Sequence, residues 1–296
     1  MKEFPIPVVS IGPGSQVESE ELDYMDMPHG MDIYRPPVLP EPEQLANRAQ
    51  AHRVLRATLQ ALNEVCDGGT PKPISLDGLD LEDMALINQV MGEGEVSAKV
   101  TGADGEDSVR IQESVFAGLW RVMRLEGGRV VEDSLEVGAV PAELRVSAQT
   151  DVVSRRAPPL PEPLPDGVMN SPMLLTEIED HWHDWKPGQQ PRVVNLTLLP
   201  MGVPDISFLD HQLGTGRLLI LSRGYGNCRI TNTRMPNCWR VVYYNSQDVV
   251  ILNTVEVIDM PEVACAARED LEDSRERLAE VLQWVEGALD EQKAAA

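Results

Sequence analysis

Two stretches of this 296-residue chain are copies of one another, and that constrains the fold more than any other feature. Asp83-Met-Ala-Leu-Ile-Asn-Gln-Val-Met-Gly-Glu-Gly94 matches Asp205-Ile-Ser-Phe-Leu-Asp-His-Gln-Leu-Gly-Thr-Gly216 at a constant offset of 122. Arg110-Ile111 and Trp120-Arg121-Val122 match Arg229-Ile230 and Trp239-Arg240-Val241 at offset 119. Glu136-Val137 and Pro141 match Glu256-Val257 and Pro261 at offset 120. The offset changes only where loops are expected. A unit of roughly 100 residues, the size of a small domain, is therefore repeated in tandem.

Periodicity gives each unit its contents. Leu45, His52, Leu55, Leu59, Leu62 and Cys66 recur at helical steps, as do Leu174, Leu175, Ile178, Trp182 and Trp185 after the Ser171-Pro172 start. A short helix over 83–91, or 206–213 in the second copy, ends at a glycine pair. Alternating, β-branched runs follow: Val96–Val100, Ser108–Gln112, Leu119–Leu125 and Arg129–Val137, then Arg217–Ser222, Cys228–Thr233, Cys238–Tyr244 and Val249–Ile258. The predicted fold class is α+β: two tandem duplicated units, each an antiparallel meander of about four strands packed with helices, plus a long C-terminal helix.

Prolines mark the borders. Residues 1–42 hold eight prolines and a net charge of −6, and read as an irregular acidic arm. Unit one is expected over 43–145, a proline-rich linker over 146–170 and unit two, with the acidic terminal helix, over 171–296.

Charge removes several function classes. With 48 acidic residues against 25 basic ones the formal charge is −23, which argues against general binding to nucleic acid or anionic lipid. No run of 18 apolar residues is present, and the first residues lack the apolar core of a secretory signal. The four cysteines, Cys66, Cys228, Cys238 and Cys265, form no Cys-x-x-Cys pair, so a reducing cytoplasm is the expected compartment. Yet the charge is uneven. Residues 211–247 contain Arg217, Arg223, Arg229, Arg234 and Arg240 and no acid, whereas 73–107 contain nine acids and one lysine. Two readings stand: these arginines pair internally, or they form a docking face for acidic groups of a partner.

Unit two carries a dense polar string, Ser222-Arg-Gly-Tyr-Gly-Asn-Cys-Arg-Ile-Thr-Asn-Thr233, followed by Cys238-Trp-Arg-Val-Val-Tyr-Tyr-Asn-Ser-Gln-Asp248, Ile251-Leu-Asn-Thr-Val-Glu-Val-Ile-Asp259 and Glu269-Asp-Leu-Glu-Asp-Ser274. It closely resembles the C-terminal conserved region of the HupH/HyaF/HoxQ hydrogenase expression and formation proteins, and the arm and unit one are similar to that family too. The resemblance implies an accessory, non-enzymatic role: a maturation factor or chaperone for the small, iron–sulfur subunit of an uptake nickel–iron hydrogenase, acting before export. Its implied partners are that subunit's precursor and a thioredoxin-like accessory protein. The family brings no established catalytic residues and no cofactor.

The residues themselves offer a candidate contact set at the unusual Gly224-Tyr225-Gly226 loop and nearby strand ends: Arg223, Tyr225, Asn227, Cys228, Arg229, Arg234, Asn245 and Asp248. Structural turns account for the same glycines and amides. Cys228 and Cys238 are weak metal candidates, and a thiol or iron–sulfur carrier centred on Cys228 is the alternative function. If the hairpin turns at Pro236-Asn237, Cys228 faces Tyr243 and the two sulfurs lie far apart. His181 and His183 sit two apart on a helix and cannot share an ion. Met25, Met27, His29 and Met31 in the arm are read as adaptable partner contacts.

Overall fold

The computed structural model describes residues 48–153, 158–224 and 226–295. The acidic arm, with Met25, Met27, His29 and Met31, and Tyr225 lie outside them. Among the described residues the chain forms six α-helices and one ten-stranded antiparallel sheet. Unit one contributes α1 (Ala49–Cys66), β1 (Ile74–Ser75), α2 (Leu81–Met91), β2 (Val96–Thr101), β3 (Asp107–Glu113), β4 (Leu119–Glu126), β5 (Arg129–Val137) and α3 (Ala142–Thr150). Unit two contributes α4 (Ser171–Asp184), β6 (Arg192–Asn195), α5 (Val203–Leu213), β7 (Thr215–Ser222), β8 (Asn227–Thr233), β9 (Cys238–Tyr244), β10 (Val250–Val257) and α6 (Arg268–Ala295). The duplicated α+β meanders are present as expected. Each gains a short outer strand, β1 or β6, too brief to show a period. Helix α3 runs through Thr150, across the position where the proline-rich linker was expected to begin.

The two meanders do not stand apart. The strand order is β1-β5-β4-β3-β2-β7-β8-β9-β10-β6, so β2 and β7 join them into one sheet. At that seam Val96 lies opposite Ser222, Ala98 opposite Ile220 and Val100 opposite Leu218. Ala98 and Ile220 are duplicates at offset 122, and so are Val96 and Leu218, and Val100 and Ser222. The seam therefore has pseudo-two-fold symmetry centred on Ala98 and Ile220. The relation extends to the rims, where Ile74 pairs with Leu135 and its duplicate Val194 with Val255.

Buried carboxylates fix the helices at equivalent points. Asp83, at the start of α2, accepts the Ala51 N–H of α1 at 3.1 Å. Its duplicate Asp205 has one Oδ1 that accepts from the backbones of Met169, Asn170 and Ser171 at 2.8–2.9 Å. Burial pushes the Asp205 pKa up, but these hydrogen bonds and that of the Ser171 hydroxyl outweigh it and hold the group below the usual value. Likewise, the indole N–H of Trp120 donates to Gly138 at 2.9 Å and that of Trp239 to Ile258 at 3.0 Å.

The units exchange their last helices. Leu271, Leu278 and Leu282 of α6 pack into a core with Leu55 and Leu62 of α1, Ile87 and Val90 of α2, and Leu119 and Leu135 of the unit-one strands. A Cβ on Gly118 would run into Leu271, and the positive φ of +80° independently favours glycine there. In the other direction, Leu144 of α3 belongs to a core that spans the seam, with Ile111 and Trp120 of unit one as well as Ile178, Ile220 and Trp239 of unit two. Asp151, at the end of α3, accepts from the Arg217 backbone at 2.6 Å, the Arg217 Nε at 2.7 Å and the Asn232 amide at 3.0 Å. Arg145 of α3 pairs with Asp259 at 2.7 Å.

Candidate functional site

The strand register decides where the candidate residues point. Arg223, Asn245 and Asp248, in the β7–β8 and β9–β10 connections, gather with Asn227, the first residue of β8, at one end of the unit-two strands. Arg223 donates its backbone N–H to the Glu95 carbonyl at 3.1 Å, and Gly224 lies against the Glu95 carboxylate, where a Cβ would collide. Asn227 opposes Tyr244. The Asn245 side chain accepts from Gln247 at 2.8 Å and Val249 at 3.0 Å, and Asp248 takes a positive φ of 57°. Asn245 and Asp248 thus build their own turn. Arg234 is at the opposite end of β8, its backbone N–H on the Leu213 carbonyl at 3.0 Å. Arg229 and Cys228, adjacent on β8, point to opposite faces.

The two central cysteines cannot share an ion. Cys228 lies opposite Tyr243, as the turn at Pro236-Asn237 predicts, whereas Cys238 lies opposite Val257. Positions 238 and 243 have opposite parity on β9, so the sulfurs are on opposite faces of the sheet. Both side chains are buried. Burial pushes the Cys228 thiol up to about 12, with the Glu256 charge acting in the same sense, and the Cys238 thiol up to about 11. Neither is a ready thiolate near neutrality.

Nor do the five arginines form one patch. Arg217 pairs with Asp151 at 2.7 Å and Arg240 with Asp210 at 3.5 Å, while Arg223 and Arg234 sit at opposite ends of the sheet. The Arg240 site has an informative duplicate. In unit one Arg121 holds Asp133 through Nε at 2.9 Å and Nη2 at 2.6 Å, and Asn88 through Nη1 at 2.7 Å. In unit two the helix amide has become Asp210 and the strand carboxylate has become Asn253. The charge has moved from strand to helix. The new geometry is poorer: Arg240 Nη1 and Asn253 Oδ1 are both buried with no hydrogen bond among the described residues. Burial raises the Asp210 pKa and lowers that of Arg240, each opposed by the other's charge. Residue types alone could not reveal this exchange, because it depends on which strand position meets α5.

An open cavity of about 360 Å³ lies beneath α3, between Val100, Val109 and Val146, with Arg124 and Arg217 in its wall. Its cations are engaged: Arg124 by Glu143 at 2.6 Å and by Glu132 at 3.0 Å, and Arg217 by Asp151. Here acids and bases join elements of the fold.

The duplication is visible to a family profile as well. That of the HupH hydrogenase expression protein, C-terminal conserved region, matches residues 49–157 and again 168–285, once on each unit. The chain belongs to the HupH family. Among its relatives, the hydrogenase expression/formation protein HoxQ of Cupriavidus necator is 56% identical over 96% of this chain and 99% of its own length. The hydrogenase expression/formation protein HupH of Rhodobacter capsulatus is 47% identical over 95% of this chain and 98% of its own. A solved structure, the hydrogenase expression protein HupH from Thiobacillus denitrificans, is 27% identical and covers 40% of this chain and 96% of that one, with a TM-score of 0.36. This HupH-family chain therefore has a role in hydrogenase maturation, and among its described residues no helix is long and apolar enough to cross a membrane.

Proposed function

We propose that the protein is a non-catalytic accessory factor that attends the small, iron–sulfur subunit of an uptake nickel–iron hydrogenase in the cytoplasm, before export and beside a thioredoxin-like accessory protein. The observation that carries this reading is the family match over both units, with relatives along the whole chain that are named for hydrogenase expression and formation. The site geometry supports a binding role: Cys228 and Cys238 are buried as thiols, the neighbouring Arg217 and Arg240 are engaged in holding elements together, and the β9–β10 loop is built by the Asn245 amide. Arg223, Asn227, Asn245 and Asp248, gathered at one end of the sheet, are contact residues in this account; Tyr225 belongs to the same loop. A strain lacking the protein, but with the rest of its hydrogenase genes, should accumulate unexported small-subunit precursor while the large subunit is processed normally. Normal small-subunit export in that strain would refute the reading.

A further inference from the structure

Every surface of the sheet has a duplicate, so each unit is a control for the other. At the outer corner of unit one the face carries ions: Arg124 lies opposite Glu132 and bonds to it at 3.0 Å. The same positions in unit two are Tyr243 and Leu252, again directly opposite one another. Val263 stands where unit one has Glu143, the second partner of Arg124.

The strand edge beside that corner changes in the same direction. Unit one reads Arg129-Val-Val-Glu132 and unit two Val249-Val-Ile-Leu252, with no charged residue between Asp248 and Glu256. The backbone has not changed. Each strand carries a bulge at the equivalent residue, Val131 or Ile251, and these are 53% and 55% exposed. Each edge is capped at the same place, where Asp77 accepts from Asp133 at 3.3 Å and Thr197 accepts from Asn253 at 2.8 Å. Beyond that cap β1 and β6 no longer pair with the edges among the described residues. A charged residue is the usual protection of an open edge. Unit one has kept that protection and unit two has not. Leu198, 81% exposed in the 3-10 turn packed beside β10, enlarges the apolar surface.

We propose that the exposed edge of unit two at this corner, formed by Val249, Val250 and Ile251 with Leu198 beside them, is the docking surface for an uncharged, apolar segment of the hydrogenase client. The proposal rests on the maturation reading above. A charged segment would be desolvated there without a partner, at high cost. A second copy of the chain would bring two charges of −23 together. An extended apolar segment meets neither penalty, and addition beside an edge strand such as β10 is a recurring mode of peptide recognition.

The test uses the full chain and the purified small-subunit precursor. Wild type, Ile251→Lys and its duplicate control Val131→Lys are compared by titration; both sites are exposed bulges, so folding is spared. Ile251→Lys should weaken binding at least about tenfold, a loss of ~1.4 kcal/mol, while Val131→Lys changes it less than about twofold. A photo-crosslinker at Val250 should link to an uncharged segment of the precursor. Equal binding by wild type and Ile251→Lys, a link to a charged segment, or a link between two copies of this chain would overturn the surface alone. Failure of wild type itself to bind the precursor would overturn the maturation reading instead.

Discussion

Ala98 lies directly opposite Ile220 in the sheet, and each is the other's duplicate. A repeat that pairs with itself at its own equivalent residue is a fused pseudo-dimer. Its two halves share one backbone plan but are free to differ in side chains. The differences, more than the agreements, carry the functional information.

The exchange between Arg121 and Arg240 can be tested by reversing it. Asp210→Asn should destabilise the protein by roughly 3–5 kcal/mol, because it leaves a buried guanidinium without its carboxylate. Asp210→Asn combined with Asn253→Asp restores the unit-one arrangement and should recover much of that loss. A double-mutant cycle in urea measures the coupling. Additive losses would show that the two sites are not equivalent.

Helix exchange makes a prediction about location. Leu278 is fully buried in the core of unit one although it lies in the sequence of unit two. Leu278→Ala should cost about 2–5 kcal/mol, and hydrogen exchange should rise first in α1 and α2. A rise confined to α4 and α5 would contradict the packing.

Glu113 gives a pH dependence. Burial, reinforced by the charges of Glu95 and Asp270, raises its pKa from 4.5 to about 7, although the Gly118 N–H at 3.1 Å works against the shift. A carboxyl whose folded pKa is raised binds its proton more tightly in the native state. Stability therefore falls as pH rises from about 4.5 to 7, by at most ~3 kcal/mol from this group. Glu113→Gln should flatten that slope in urea titrations taken across the window; an unchanged slope would refute the assignment.

Cysteine chemistry provides a further check. With their thiols held at about 12 and about 11 and buried, Cys228 and Cys238 should alkylate at pH 8 only through unfolding, far more slowly than in urea. Rapid labelling of the native protein would restore Cys228 as a reactive centre.

The duplication was legible in the sequence because Trp120-Arg-Val and Trp239-Arg-Val are rare strings at matched spacing, and the eight meander strands because they alternate. Strands β1 and β6 were not, being two and four residues long at the rims. The exchange of α3 and α6 left no local trace, since an apolar stripe states that a helix packs but not on which partner. The same limit governed the site. Sequence left two readings of the five arginines over 211–247, internal pairing or a docking face; strand alternation sends Arg229 and Cys228 to opposite sides, and Arg217 and Arg240 pair internally with acids that sequence spacing does not bring near. The corner at Tyr243 and Leu252 is illegible in sequence for a related reason: its meaning lies in what replaced Arg124 and Glu132, and that comparison needs the register.

The central claim is that this chain attends the hydrogenase small subunit. Affinity purification of the tagged protein from hydrogenase-expressing cells, with mass spectrometry of what it retains, tests it most directly. The account predicts recovery of the small-subunit precursor with its export signal still attached. Recovery of the large subunit alone, or of no hydrogenase subunit, would contradict it.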